Sequence, residues 1–268
     1  MQFFITDTFT SKQFSGNPAA VCILDQPLDD SILLSVAGEL NLPVTAFIEK
    51  TTGEPGANSI RYFTITKEIP ACGHATLAAA ATIADLRPGS KEIVFRTIEG
   101  VVIKAITGDG IVTLAYPEYQ LKNFPVSPQL LESLGIKGYK TAGFCSELET
   151  VFIELDSPAL IRSVQPDFQK MLVSSDSIKE IVITSVSDNK QYDFLLRSFC
   201  PWIGINEDPV TGSVHSVLAG FWKQKLKKDK LKAYQASARG GEVYVSAADN
   251  KVFIAGNTVK VLTGDIFI

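Results

Sequence analysis

The sequence predicts an α+β chain of two similar domains related by a pseudo-twofold, each a curled, mostly antiparallel sheet around one central helix. Three observations carry that expectation. Glu68 to Ala75 reads EIPACGHA and Glu207 to Val214 reads EDPVTGSV, so Glu, Pro and Gly recur 139 residues apart, close to half of the 268-residue chain. An apolar helix pattern follows each copy, ATLAAAATIADL after His74 and SVHSVLAGFWKQKL after Gly212. β-branched and aromatic runs bounded by turn residues fill the rest of both halves.

In the first half the strand runs are MQFFITDTFT, AAVCIL, TAFIE, IRYFTIT, EIVFRTI, VVIKAIT and IVTLAYP. In the second they are TVFIEL, EIVITSV, YDFLLRSF, EVYVSA, KVFIAG and TVKVLT. Gly108-Asp109-Gly110 and Ala248-Asp249-Asn250 have the residues of tight hairpin turns, which need positive φ. DSILLSVAGEL, Asp30 to Leu40, spaces its apolar residues for an amphipathic helix, and Pro128 to Leu134 starts another. The same 139-residue offset lays Phe63 on Trp202. The proline-rich YPEYQLKNFPVSP, Tyr116 to Pro128, reads as the linker, which sets domains at 1–118 and 119–268, with the last strands able to cross over.

Composition narrows the function. Net charge is −4, and the basic run KQKLKKDK, Lys223 to Lys230, falls at a helix end, where cations complement the dipole, so nucleic acid is not an expected partner. The N-terminus has an acid at Asp7 and no basic leader, and the longest uncharged apolar run, Ala75 to Ala84, is half a membrane span; neither secretion nor a membrane is expected. Cys22, Cys72, Cys145 and Cys200 show no CxxC spacing, and His74 and His215 are the only histidines, so the expectation is a reduced, cytoplasmic protein with no metal and no cofactor. A metal-dependent hydrolase is disfavoured by the same count.

Each repeat ends in a glycine turn that opens a helix, whose first N–H groups lack partners within the helix. Thr211 and Ser213, or His74 and Thr76, are the side chains placed to cap them. If the two halves face each other, two helix N-termini converge on a small carboxylate, with Glu207 and Asp208 as acid/base candidates. The alternative is that these carboxylates only complement the dipoles. Gly73, Gly212 and Ser213 would present N–H groups to the anion or serve turn geometry, and Asn17 would hydrogen-bond to a ligand or fix the turn before Pro18. His215 has equal claims as a packing and a contact residue. Glu207 shares its register with Glu68, which points to a structural role repeated in both halves. Arg197, in an apolar strand run, needs a buried carboxylate partner, and Asp193 matches its strand parity.

GNPAAVCIL (Gly16 to Leu24), NLxxTAF (Asn41 to Phe47), CGHATLA (Cys72 to Ala78), FxPWxGxxEDPVTGSxH (Phe199 to His215) and RGGE (Arg239 to Glu242) occur in order. Together they resemble the PhzF-like family, the phenazine-biosynthesis isomerase and its relatives. The resemblance implies a diaminopimelate-epimerase fold, an active site between two domains, a homodimer, and a proton shift without metal or organic cofactor. It implies His74 and Asp208 as acid/base residues. The family's main acid/base glutamate is not carried over: its position is Val44, in NLPVTAF. A valine accepts no proton, and general acid–base help is worth roughly 10²–10⁴ in rate. Glu39 and Glu49 lie an odd number of residues away, so on a strand they would face the other side. The related epimerases use a thiol from each half. Cys72 holds the first such place, but Thr211 stands opposite, which disfavours a two-thiol racemisation.

Two functions from different classes follow. One is a cofactor-independent isomerase acting on a small carboxylate through Asp208 and His74. The other is a catalytically silent relative that binds a metabolite or a protein.

Overall fold

The computed structural model describes residues 1–50 and 57–268 and divides into two compact units. Unit one is Met1–Ala115 with Ile254–Ile268, and unit two is Tyr116–Phe253. The elements of the first unit are β1 (Gln2–Thr8), β2 (Asn17–Leu24), α1 (Asp30–Leu40), β3 (Thr45–Lys50), β4 (Ala57–Phe63), β5 (Glu68–Ile69), α2 (Gly73–Leu86), β6 (Glu92–Thr97), β7 (Val102–Gly108) and β8 (Ile111–Pro117). Those of the second are β9 (Lys122–Asn123), α3 (Pro128–Leu134), β10 (Thr141–Cys145), β11 (Thr150–Glu154), α4 (Pro158–Ser163), α5 (Phe168–Leu172), β12 (Glu180–Val186), β13 (Phe194–Cys200), β14 (Ile205–Glu207), α6 (His215–Leu226), β15 (Lys230–Gln235) and β16 (Gly241–Ala248). A last strand, β17 (Lys251–Asp265), starts in unit two and continues into unit one, where it pairs antiparallel with β1.

Strand pairing repeats step for step. β1–β2 and β10–β11 are antiparallel, β2–β3 and β11–β12 are parallel across helical crossovers, and β3–β4 and β12–β13 are antiparallel. Then β4–β6 and β13–β15 are parallel across α2 and α6, and β6–β7 and β15–β16 are antiparallel. The strands of each unit are therefore mostly antiparallel, with two parallel pairs per unit, one at each helical crossover. Both expected hairpins have two-residue loops with left-handed backbone: Asp109 and Gly110 at φ 52° and 74°, Asp249 and Asn250 at 53° and 58°.

α2 is the central helix of unit one. Ala75, Leu77, Ala78, Ala79, Ala80 and Ile83 are buried against β1, β2, β3, β6 and β7, and the small alanines let the strands approach. α1 closes the opposite face with Leu33, Val36 and Ala37 on Phe47 and Phe63. In unit two α6 packs on β15 and β16, and Trp222 stacks on Phe194 of β13 at 5.5 Å while its Nε1 donates to Thr184 Oγ1 at 3.1 Å. The other face is a core of Leu130, Leu134, Ile153, Ile161, Met171, Ile181 and Phe199 under α3, α4 and α5.

Three sequence expectations change. KVFIAG and TVKVLT form one strand of 15 residues, because Gly256 is a packing demand and not a turn: a Cβ there would meet Phe9 Cδ1 at 2.5 Å. The end of the basic run enters a strand, since Lys230 opens β15. Phe63 corresponds to Phe199 and not to Trp202: Phe63 pairs with Glu68 across β4–β5 as Phe199 pairs with Glu207 across β13–β14, and Trp202 sits in a 3₁₀ turn between those strands. Among the described residues no helix is long and apolar enough to cross a membrane.

Candidate functional site

The candidate groups lie on two turns, one in each unit. In unit one the chain leaves β5 and enters α2 at Cys72, which caps the helix in extended backbone with no side-chain cap bond. The expected capping by His74 or Thr76 does not occur. The Thr76 hydroxyl turns back to donate to the Cys72 carbonyl at 2.7 Å and also lies 2.6 Å from the Tyr62 hydroxyl, so it serves the buried side of the turn. Cys72 Sγ and His74 Nδ1 are 3.3 Å apart. Packing around the imidazole lowers the His74 pKa from 6.5 to about 4, so its ring is neutral at pH 7, able to accept a hydrogen bond and a weaker base than an ordinary histidine. Gly73 and His74 are half-buried, whereas Asn17 at the start of β2 is fully buried; its carbonyl accepts from Thr8 Oγ1 at 2.9 Å. Gly16 before it has φ 68°, and a Cβ there would fall 2.1 Å from the Thr8 carbonyl, which explains the glycine of the GNP turn.

Val44 directly precedes β3, only 4% exposed, and its carbonyl accepts from Ala20 N at 3.2 Å. Glu39 is exposed on α1, and Glu49 lies toward the far end of β3 opposite Ser59.

In unit two the turn from β14 to α6 is built around Asp208. Its Oδ2 accepts from the Thr211 hydroxyl at 2.6 Å, and its N–H donates to the Ser198 carbonyl at 3.1 Å. Thr211 is thereby committed to Asp208 and does not cap α6, whose first turn also lacks a side-chain cap bond from Ser213. Gln235 at the end of β15, fully buried, holds the turn from the other side. Its Nε2 donates to the Asp208 carbonyl and its Oε1 accepts from Thr211 N–H, both at 2.8 Å. Ser237 Oγ donates to the Pro209 carbonyl at 2.6 Å. Gly212 is buried and Ser213 half-buried.

His215 is fully buried, with Nδ1 3.1 and 3.2 Å from the carbonyls of Thr211 and Gly212. Carbonyls only accept, so Nδ1 carries the proton, and Nε2 is left as a buried acceptor without a hydrogen-bond partner. Burial lowers the His215 pKa to about 4. This histidine pins the turn from within the core.

Glu207 is held in an ion pair. It binds Arg197 with both carboxylate oxygens, at 2.7 Å from Nε and 2.9 Å from Nη2, while Nη1 donates to the Ile161 and Val164 carbonyls. Glu207, and not Asp193, is thus the partner of Arg197; Asp193 is engaged by Lys228 Nζ at 2.7 Å and by Lys232 N–H at 2.7 Å. Glu68 repeats the arrangement with Arg61 at 2.8 and 2.7 Å. Each guanidinium also lies over the phenylalanine two residues on, Arg61 over Phe63 at 5.1 Å and Arg197 over Phe199 at 4.9 Å. The repeated glutamate is therefore a structural clasp in both units.

Sequence reasoning missed Gln235 and Glu180. Glu180 opens β12; its Oε1 accepts from the Ser198 hydroxyl, and burial together with the charge of Asp208 raises its pKa to about 7. Neither residue stands within a recognisable turn motif, so only the folded backbone brings them to Asp208.

The chain matches the family model described as phenazine biosynthesis-like protein over residues 6–264. It is 37% identical over 268 residues to an uncharacterized isomerase of Halalkalibacterium halodurans, an alignment covering 99% of this chain and 98% of the relative. A PhzF-family phenazine biosynthesis protein from Enterococcus faecalis superposes with a TM-score of 0.92 at 30% identity, covering 100% of this chain and 99% of the other. A probable proline racemase from Agrobacterium radiobacter, solved with bound carbonate, gives a TM-score of 0.61 at 12% identity over 100% of this chain and 93% of its own, a likeness of fold alone.

Proposed function

Because the chain belongs to the phenazine biosynthesis-like (PhzF-like) family and shares its diaminopimelate-epimerase-like fold, we propose that it is an isomerase that moves a proton within a small carboxylate substrate. In this reading Asp208 is the base. It takes a proton from a substrate carbon as the C–H electron pair passes into the adjoining conjugated system, and the proton is returned at a second carbon. Substrate and product are then isomers, and no reductant or organic cofactor takes part. His74, neutral at pH 7, is the second proton-accepting and hydrogen-bonding group. Gly73, Gly212, Ser213 and Asn17 are the proposed substrate contacts.

The observation that carries this reading is the way Asp208 is held. Thr211 fixes its carboxylate, Gln235 fixes both ends of its turn, and Glu207, the competing carboxylate, is spent on Arg197. A base aimed by several hydrogen bonds loses little orientational freedom when it reacts. The reading also carries a homodimer, which rests on the family resemblance, and a cytoplasmic setting, which rests on the cysteine usage.

The buried Val44 favours a second reading, a relative that binds a metabolite without turnover. Proton NMR of trans-2,3-dihydro-3-hydroxyanthranilate, the substrate that the resemblance to the phenazine-biosynthesis isomerase implies, separates the two in deuterated water. Exchange of the ring proton by the natural chain, lost in Asp208→Asn, supports the isomerase. Exchange by Val44→Glu alone supports an intact site that lacks its carboxylate. Saturable binding with no exchange by either chain overturns the isomerase reading.

A further inference from the structure

The hydrogen bonds around the Asp208 turn have a fixed direction, and the backbone sets it. The side chain of Gln235 meets the Thr211 N–H with one end atom and the Asp208 carbonyl with the other, both at 2.8 Å. An N–H only donates and a carbonyl only accepts, so Oε1 faces Thr211 and Nε2 faces Asp208; the amide has one orientation. Its Nε2 also lies 3.4 Å from Thr211 Oγ1, where an amide nitrogen offers only a proton. The Thr211 hydroxyl therefore does not donate to Gln235, and its one proton goes to Asp208 Oδ2 at 2.6 Å.

The duplication supplies a control. Thr97 at the end of β6 stands where Gln235 stands at the end of β15, since Thr97 pairs with Ile60 as Gln235 pairs with Leu196. At the 139-residue offset Ile69 and Cys72 stand for Asp208 and Thr211. Thr97 Oγ1 accepts from the Val101 N–H at 3.2 Å, within the connection from β6 to β7. Unit one thus builds the same strand, turn and helix without this chain of hydrogen bonds, so the fold does not demand it.

We propose that Gln235 is a positioning residue for Asp208: it aims the Thr211 hydroxyl proton at Oδ2 and so favours the ionised carboxylate that a base requires. This rests on the reading of Asp208 as the base. A hydrogen bond donated to a carboxylate stabilises its charged form, so losing that bond raises the pH at which the group takes up a proton. Without Gln235 the Thr211 hydroxyl is free to turn, and Asp208 holds its proton only part of the time. The titratable groups facing Asp208 from the neighbouring strands are Glu180 of β12 and the Cys200 thiol of β13, while Glu207 is bound to Arg197. Substitutions at Thr211 and Gln235 leave all of these in place.

A carbon-13 titration of the Asp208 carboxyl tests this without a substrate. Relative to the natural chain, the midpoint should rise by about one pH unit in Thr211→Val and by a smaller step in Gln235→Leu. It should stay in place in Thr211→Ser, which keeps the hydroxyl. The Gln235→Leu step should vanish in the Thr211→Val background, because Gln235 acts through that hydroxyl. In the exchange assay the acid limb of kcat/KM should move up with the same midpoints. A lower melting temperature in Gln235→Leu with an unmoved Asp208 midpoint overturns the proposal, since a structural clasp alone would give that result. A Gln235→Leu step that persists in full beside Thr211→Val overturns it too. The expected shifts without exchange by any variant support the path from Gln235 through Thr211 to Asp208 and overturn the isomerase reading instead. Should Gln235→Leu fail to fold, the nitrogen-15 signal of Gln235 Nε2 decides. A step at the Asp208 midpoint that Thr211→Val removes supports the proposal, and a step that persists, or a flat signal, overturns it.

Discussion

Glu68 and Glu207 occupy the same register of a duplicated motif, and each binds an arginine through both oxygens. The clasps differ in their surroundings. Arg197 is 10% exposed in its side chain, whereas Arg61 is 21% exposed and has Asp30 as a second partner at 2.8 Å. Removing Glu207 strands a buried guanidinium, so Glu207→Ala should cost about 3 kcal/mol in urea unfolding, and Glu68→Ala should cost less because Asp30 remains. His215 makes a prediction about acid. Its folded pKa of about 4 lies below the ordinary 6.5, so the stability it carries is complete above pH 6.5 and is lost as pH falls through 4. Relative to His215→Gln, the natural chain should lose up to about 3 kcal/mol over that range, read as melting temperature against pH. At this scale the sequence was partly legible. It showed that Arg197 needs a carboxylate, but strand parity pointed to Asp193. The true partner lies ten residues on, where the chain has turned back to lay β14 against β13.

α2 and α6 do the same work with different side chains. α2 fills the curl of its sheet with alanines, and α6 uses Trp222, buried on Phe194. The contrast predicts that α2 tolerates no added volume. Ala78→Leu, at a fully buried position, should cost about 2 kcal/mol by overpacking, seen as a lower denaturant midpoint with an unchanged slope. Helix α1 was legible to the residue and the start of α3 at Pro128 was too, because amphipathic spacing or an N-terminal proline marks them locally. The hairpin loops were legible because a left-handed pair of residues selects Asp, Asn and Gly. β17 was not read as one strand. A glycine within a strand looks the same in sequence whether it makes a turn or admits a phenylalanine from elsewhere. β15 was hidden by its two lysines, Lys230 and Lys232, which alternate with buried Leu231 and Ala233.

The last fifteen residues belong to unit one although they follow all of unit two in the chain. Their strand supplies the partner of β1 from Gln2 to Thr8, so unit one is incomplete until the C-terminal strand arrives. A chain ending at Phe253 should leave β1 with an unpaired edge and lose cooperative unfolding of unit one, measured by hydrogen exchange at β1 and β2. The sequence by itself determined the duplication, the two central helices and the family, because those are written in local periodicity and in long motifs that keep their order. It also placed Asp208 and His74 at the openings of the two helices. Only the tertiary structure decided which acidic side chains are held in ion pairs. It bound Glu207 to Arg197, clasped the Asp208 turn with Gln235, and brought Glu180 beside Asp208. Those partners lie tens of residues apart or on separate strands, and a side chain's charge state depends on what folding buries next to it.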